Sequence, residues 1–158
     1  MKVLNELPDQ IFCTDSEEFV FFDLDRNMIT GQPLLNKPNI GLWTSTRYTD
    51  SPYISAWEKW CRETPYHCGE HHFLLHPKKD LKVFEPTDIA DLQLQETDFL
   101  PFPHIDFGWY ALQGYDGFHL DVQYKWMAKD GFMPFHCWDC ESTVWFSYDW
   151  IDRVERIK

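Results

Sequence analysis

The chain has 158 residues, 44% of them hydrophobic and 18% aromatic with 8 Trp, enough to bury a core of one-domain size and to exclude general disorder. Its 26 acids against 14 Lys and Arg give a net charge of −12. That balance argues against a nucleic-acid backbone as main partner, because phosphate contacts need a basic face, and it suits an electropositive protein partner.

One domain is expected over 1–158, beginning with an acidic, irregular segment over 1–18. MKVLNELPDQ lacks the apolar centre of a signal peptide, and no apolar run reaches membrane-spanning length. The 5 cysteines come without secretory context, so the expectation is a cytoplasmic protein with reduced thiols and no membrane partner. EFVFFDLD (18–25) is aromatic and β-branched and predicts a first strand. TGQPLLNKPN (30–39) reads as a loop, and IGLWTST (40–46) predicts a second strand. SPYISAWEKWCRE (51–63) predicts a helix, with Ser51 as cap and Ile54, Trp57 and Cys61 on one stripe.

HHFLLH (71–76) and LKVFE (81–85) predict a hairpin across Pro77–Asp80, and Thr87 is placed to cap a short helix over 87–94. HIDFGWYALQGYDG (104–117) predicts a helix ended by Gly114, followed by a strand GFHL (117–120) and a long loop over 121–136. ESTVWFSY (141–148) alternates as a strand, and WIDRVERI closes the chain. Many short strands with three short helices predict an α+β domain.

Two readings compete for HCWDCESTVWF (136–146). In the first, Cys137-x2-Cys140 joins Cys68-x2-His71, or His72 in place of His71, to make a tetrahedral zinc set. Against it stands the plain alternative that the two thiols are small apolar fillers beside Trp138. A redox pair would need a helix behind the first thiol, and here a strand follows. No metal is favoured on this reading. In the second, the strand exists to hold Glu141, which shares a face with Thr143, while Val144, Phe146 and Tyr148 form the opposite, core face.

The order GLWTST, then QGYDGFHL, then a Glu-headed strand and a short closing segment resembles ADP-ribosyltransferase-fold proteins. The resemblance implies two small, mostly antiparallel β-sheets meeting at a cleft with short flanking helices, and NAD as co-substrate. It implies Glu141 as catalytic acid and a Ser/Thr patch, Thr44, Ser45 and Thr46, supporting the nicotinamide pocket. Trp43 or Tyr48 would stack on nicotinamide, and Asp139 would stand on the side of a protein acceptor. The opening strand departs from the family pattern, since its Arg or His is missing and Arg26 falls at the strand end.

Cleaving the nicotinamide–ribose bond develops positive charge on the ribose, which an ionised Glu141 would stabilise. Ser45 or Thr143 would then fix its rotamer. Arg47 or Lys37 would meet the pyrophosphate, with a surface ion pair as the plain alternative for Arg47. Three other readings stand beside this one. A catalytically silent acidic inhibitor would use the same fold, a small interaction domain would be stabilised by the zinc set, and a paired-carboxylate glycosidase would set Asp139 or Asp116 against Glu141.

Overall fold

A computed structural model describes residues 1–158. In chain order the strands are β1 (Lys2–Leu4), β2 (Gln10–Thr14), β3 (Gly31–Gln32), β4 (Lys37–Pro38), β5 (Leu42–Thr46), β6 (His71–Pro77), β7 (Val83–Glu85), β8 (Leu94–Gln95), β9 (His104–Ile105), β10 (Gly117–Leu120), β11 (Ser142–Trp145) and β12 (Ile151–Arg156). Helix α1 (Ala56–Glu63) lies between β5 and β6, and α2 (Phe107–Leu112) lies between β9 and β10. No helix is long and apolar enough to cross a membrane.

The class is α+β, but the expected pair of small sheets is replaced by one continuous sheet of 8 strands in the order β1-β7-β10-β11-β5-β2-β6-β12. Strand β5 is the reason. It pairs with β11 on one side and β2 on the other, so the two halves share a ladder instead of facing each other across a cleft. Only β7–β10 is parallel, and the chain between them carries α2, as a crossover requires.

Each face of the sheet buries its own apolar cluster. Leu42, Phe73, Leu75, Val83 and Trp145 point to one face, which Leu81 and Trp150 cover. Trp145 and Trp150 stack there with ring centroids 3.6 Å apart. Phe84, Phe118, Val144 and Phe146 point to the other face, under Phe107 and Tyr110 of α2 and under Trp138. The first is the Trp145 face of the sheet and the second its Phe118 face.

Three elements depart from their sequence expectation. The run 18–25 forms no strand and has no ladder partner. It lies as an irregular strap whose Phe19, Phe22 and Leu24 pack on the Trp145 face. Arg26 fastens the end of that strap by donating to the carbonyls of Ala111 and Tyr115. The segments 71–76 and 81–85 do not form a hairpin: β6 pairs with β2 and β12, whereas β7 pairs with β1 and β10. Finally, the opening 14 residues, expected to be irregular, supply β1 and β2.

Other expectations are met with shifted ends. Helix α1 starts later than predicted, with Ser55 as its cap: the hydroxyl accepts from the Glu58 amide, and the Glu58 carboxylate accepts from the Ile54 amide at 2.6 Å. At 87–94 there is a single 3-10 turn, Ile89–Asp91, capped by Asp88 rather than Thr87. Gly114 (φ +83°) follows the end of α2 as expected, in the left-handed conformation that glycine adopts without steric cost.

Candidate functional site

Glu141 precedes β11 and falls opposite Thr46, two steps along from the Thr143–Thr44 pair. Its carboxylate accepts from the Thr46 amide (2.9 Å) and the Thr46 hydroxyl (2.9 Å), and from His119 Nε2 at 2.7 Å. The other ring nitrogen of His119, Nδ1, lies 2.6 Å from the Glu85 carboxylate. Each nitrogen therefore faces an acceptor that has no proton to give, so the ring is an imidazolium donating from both sides. Burial alone would push this imidazole down, but its bonds to Glu141 and Glu85 outweigh burial and hold it up at about 9.

This group extends into a polar seam within the Trp145 face. The Thr44 hydroxyl accepts from Trp145 Nε1 (2.8 Å) and donates to Gln10 Oε1 (2.7 Å), and Gln10 Nε2 donates to Thr46 Oγ1 at 3.2 Å. Lys2 Nζ stands 3.6 Å from Glu85 at the far end. The seam runs from β1 to β2 through the middle of the sheet, and a slip of one residue in any of these strands would leave buried donors or carboxylates without partners.

On the Phe118 face, at the same height in the sheet, lies a cavity of about 280 Å³. Trp43, Trp57 and Trp138 wall it, Ser45 and Ser142 line it, and Lys37 and Asp139 bring one charge of each sign. Trp43 and Trp138 meet edge to face at 4.8 Å, and Lys37 Nζ sits 5.7 Å from the Trp43 ring centre. The Trp138 indole is fixed by donating to the Asn36 carbonyl at 2.8 Å.

The residues singled out from sequence are thus divided between the two faces. Glu141, Thr44 and Thr46 join in the polar seam, and Thr46 holds Glu141 where Ser45 or Thr143 was expected to. The Ser45 hydroxyl instead donates to the Glu141 main-chain carbonyl (2.8 Å), because neighbouring residues of a strand point to opposite faces. Thr143 is fully buried, and its hydroxyl has no partner. Trp43, Ser45 and Asp139 reach the cavity, which the Glu141 side chain does not line. Tyr48 lies near Glu141 rather than in the cavity wall, and its phenol is pushed up first by burial and then by the Glu141 charge. Arg47 faces Asp9 at 4.0 Å, a surface ion pair, while Lys37 reaches the cavity.

The zinc set expected from Cys68, His71, Cys137 and Cys140 is not assembled. Cys140 turns into the Phe118 face, 3.8 Å from the Ser45 hydroxyl and 3.7 Å from that of Ser142, whereas Cys137 contacts His136 at 3.1 Å. His71 accepts from Arg156 at 3.0 Å on the opposite side of β6 from His72. Burial pushes the Cys140 thiol up, so it is a poor thiolate source, as a redox pair would not be. Cys68 does belong to a sulfur and imidazole cluster, with Cys13 and His72 as its companions.

Sequence reading missed His119, Glu85 and Gln10. Their signal was a polar residue in strand runs that are otherwise apolar, such as GFHL, but only the ladder register shows that they meet. Comparison with protein-family models, with curated proteins and with solved structures finds no match to this chain. The functional reading therefore rests on the residues themselves.

Proposed function

We propose that the protein binds a small ligand made of a flat aromatic or heteroaromatic ring next to an anionic group, in the cavity walled by Trp43, Trp57 and Trp138. The observation that carries this reading is the pairing of that aromatic wall with a lone cation, Lys37, in one cavity of about 280 Å³. Indole faces hold a flat ring with little regard for its substituents, while Lys37, Asp139, Ser45 and Ser142 set its orientation. The volume suits a ring with a short substituent, so a larger ligand would extend out of the cavity.

NAD is the specific candidate that the resemblance brings, and ADP-ribosyl transfer or NAD hydrolysis is the second reading. It is favoured by Asp139, which puts a carboxylate beside the aromatic wall. On this reading nicotinamide enters between the indoles, Lys37 meets a phosphate, and Asp139 stabilises the ribosyl cation as nicotinamide leaves with the bonding pair. Glu141, pinned to Thr46 on the other side, anchors the segment before β11 from which Asp139 is presented. A protein that binds NAD and releases no nicotinamide would be the silent, binding-only form of the same fold.

Tryptophan fluorescence titrated with NAD, nicotinamide mononucleotide and adenosine monophosphate tests the first reading. Saturable quenching by at least one of them, lost in Trp43→Ala, is expected. The absence of quenching by all three, with no rise in melting temperature, would refute it. Free nicotinamide released by the wild type and not by Asp139→Asn would establish the second reading.

A further inference from the structure

A separate cluster sits where α1, the loop 64–70 and the sheet edge converge. Cys13 on β2 and His72 on β6 are directly paired across the antiparallel ladder, so their side chains leave the same face side by side. Cys68 comes from the loop and places its sulfur 3.8 Å from His72 Nε2. The three ligand atoms lie within 4.8 Å of one another. Tetrahedral zinc with ordinary Zn–S and Zn–N bonds puts sulfur and nitrogen about 3.6 Å apart and two sulfurs about 3.8 Å apart. The cluster is therefore close to the spacing that one ion would impose, without rearrangement of the backbone.

The backbone around it is specialised. Gly69, next to Cys68, has φ +106°, and a side chain there would bring Cβ to 2.7 Å from the Thr14 amide. The loop can press against β2 only because this position has no side chain. A further thiol, Cys61, sits on the buried side of α1, where burial first and then the neighbouring Cys68 push it up. Nothing else in the molecule gathers so many soft ligands. Three thiols and an imidazole from four separate chain segments are the donor set that zinc prefers over hard cations.

We propose that Cys13, Cys68 and His72 bind one zinc ion, that Cys61 closes the tetrahedron, and that the ion ties α1 and the loop 64–70 to β2 and β6. Cys61 lies outside the cluster of three ligand atoms and reaches the ion by turning its side chain from the buried side of α1. The thiols bind as thiolates, so binding releases protons, and the His72 ring proton moves to Nδ1 to free Nε2 for the metal. With four protein ligands the site is closed and structural. It stands apart from the ligand of the neighbouring cavity, although Cys13 touches both.

The test is elemental analysis of the full chain expressed with zinc, followed by exchange for cobalt. Stoichiometric zinc is expected, as is a cobalt spectrum of tetrahedral type with a thiolate charge-transfer band. Cys61→Ser should weaken that band and retain the ion with lower affinity, and Cys13→Ser should lose most of the metal. Cys137→Ser should leave the metal content unchanged, which separates this site from the CxxC pair. Loss of metal in a ligand variant could also reflect unfolding, so the wild type is melted with and without a strong chelator, and a fall in melting temperature on chelation supports the proposal. Protein that carries no zinc and takes up no cobalt under reducing conditions would overturn it. So would a Cys13–Cys68 or Cys61–Cys68 disulfide found by mass spectrometry in freshly purified, metal-free protein.

Discussion

His119 is the residue on which the most depends. It is a cation, 7% exposed, clasped between two carboxylates that would repel each other without it. Its pKa rises from an ordinary 6.5 to about 9 on folding, so its contribution is fully present below 6.5 and is lost as pH rises through about 9. That shift corresponds to something on the order of 3 kcal/mol. The melting temperature should therefore fall between pH 6.5 and 9 in the wild type, and this slope should be absent in His119→Gln. The variant should itself be destabilised by about 3 kcal/mol in urea unfolding, since it leaves the buried Glu85 and the half-buried Glu141 carboxylates without their counter-charge. Glu141→Gln bears on the sequence expectation directly. A purely catalytic acid at an open cleft could be neutralised with no change in melting temperature. An acid taking bonds from Thr46 and His119 should cost about 2 kcal/mol when its charge is removed, measured by the same unfolding.

At the scale of the elements, local signals predicted what local physics decides. Strand β5, the strand GFHL, the strand after Glu141 and the turn at Gly114 were all legible, because alternation and glycine chemistry act within a few residues. What failed needed a partner to be known. EFVFFDLD has every propensity of a strand but no neighbour to pair with, so its aromatics are used as a strap. HHFLLH and LKVFE are adjacent in sequence but are claimed by different neighbours in the sheet. The candidate site was half legible for the same reason. GLWTST and Glu141 do come together, yet alternation along β5 sends Trp43 and Ser45 to one face and Thr44 and Thr46 to the other. The cap of α1 offers a check at this scale. Ser55 is fully buried and bonds the Glu58 amide, so Ser55→Ala should lower stability by about 1 kcal/mol, whereas Ser51→Ala, at the exposed start expected from sequence, should be neutral in the same unfolding measurement.

Across the whole molecule, one sheet separates two kinds of polar chemistry. The Trp145 face carries a closed seam of hydrogen bonds and charges that fixes register, with the Thr143 hydroxyl left unpartnered beside it. The Phe118 face carries an aromatic cavity with charges left to meet a ligand. The net charge of −12 sharpens the requirement on that ligand, because an anionic group has to be drawn in by Lys37 against the field of the rest of the protein. Affinity should therefore fall with Lys37→Ala and should rise when added salt screens the surrounding acids, provided that Lys37 itself is retained. The most direct measurement is a tryptophan-fluorescence titration with NAD and its fragments on three proteins: wild type, Trp43→Ala and Glu141→Gln. The division between the two faces predicts that Glu141→Gln, at a temperature where it is folded, binds as the wild type does and that Trp43→Ala does not. Binding abolished by Glu141→Gln but kept by Trp43→Ala would contradict it.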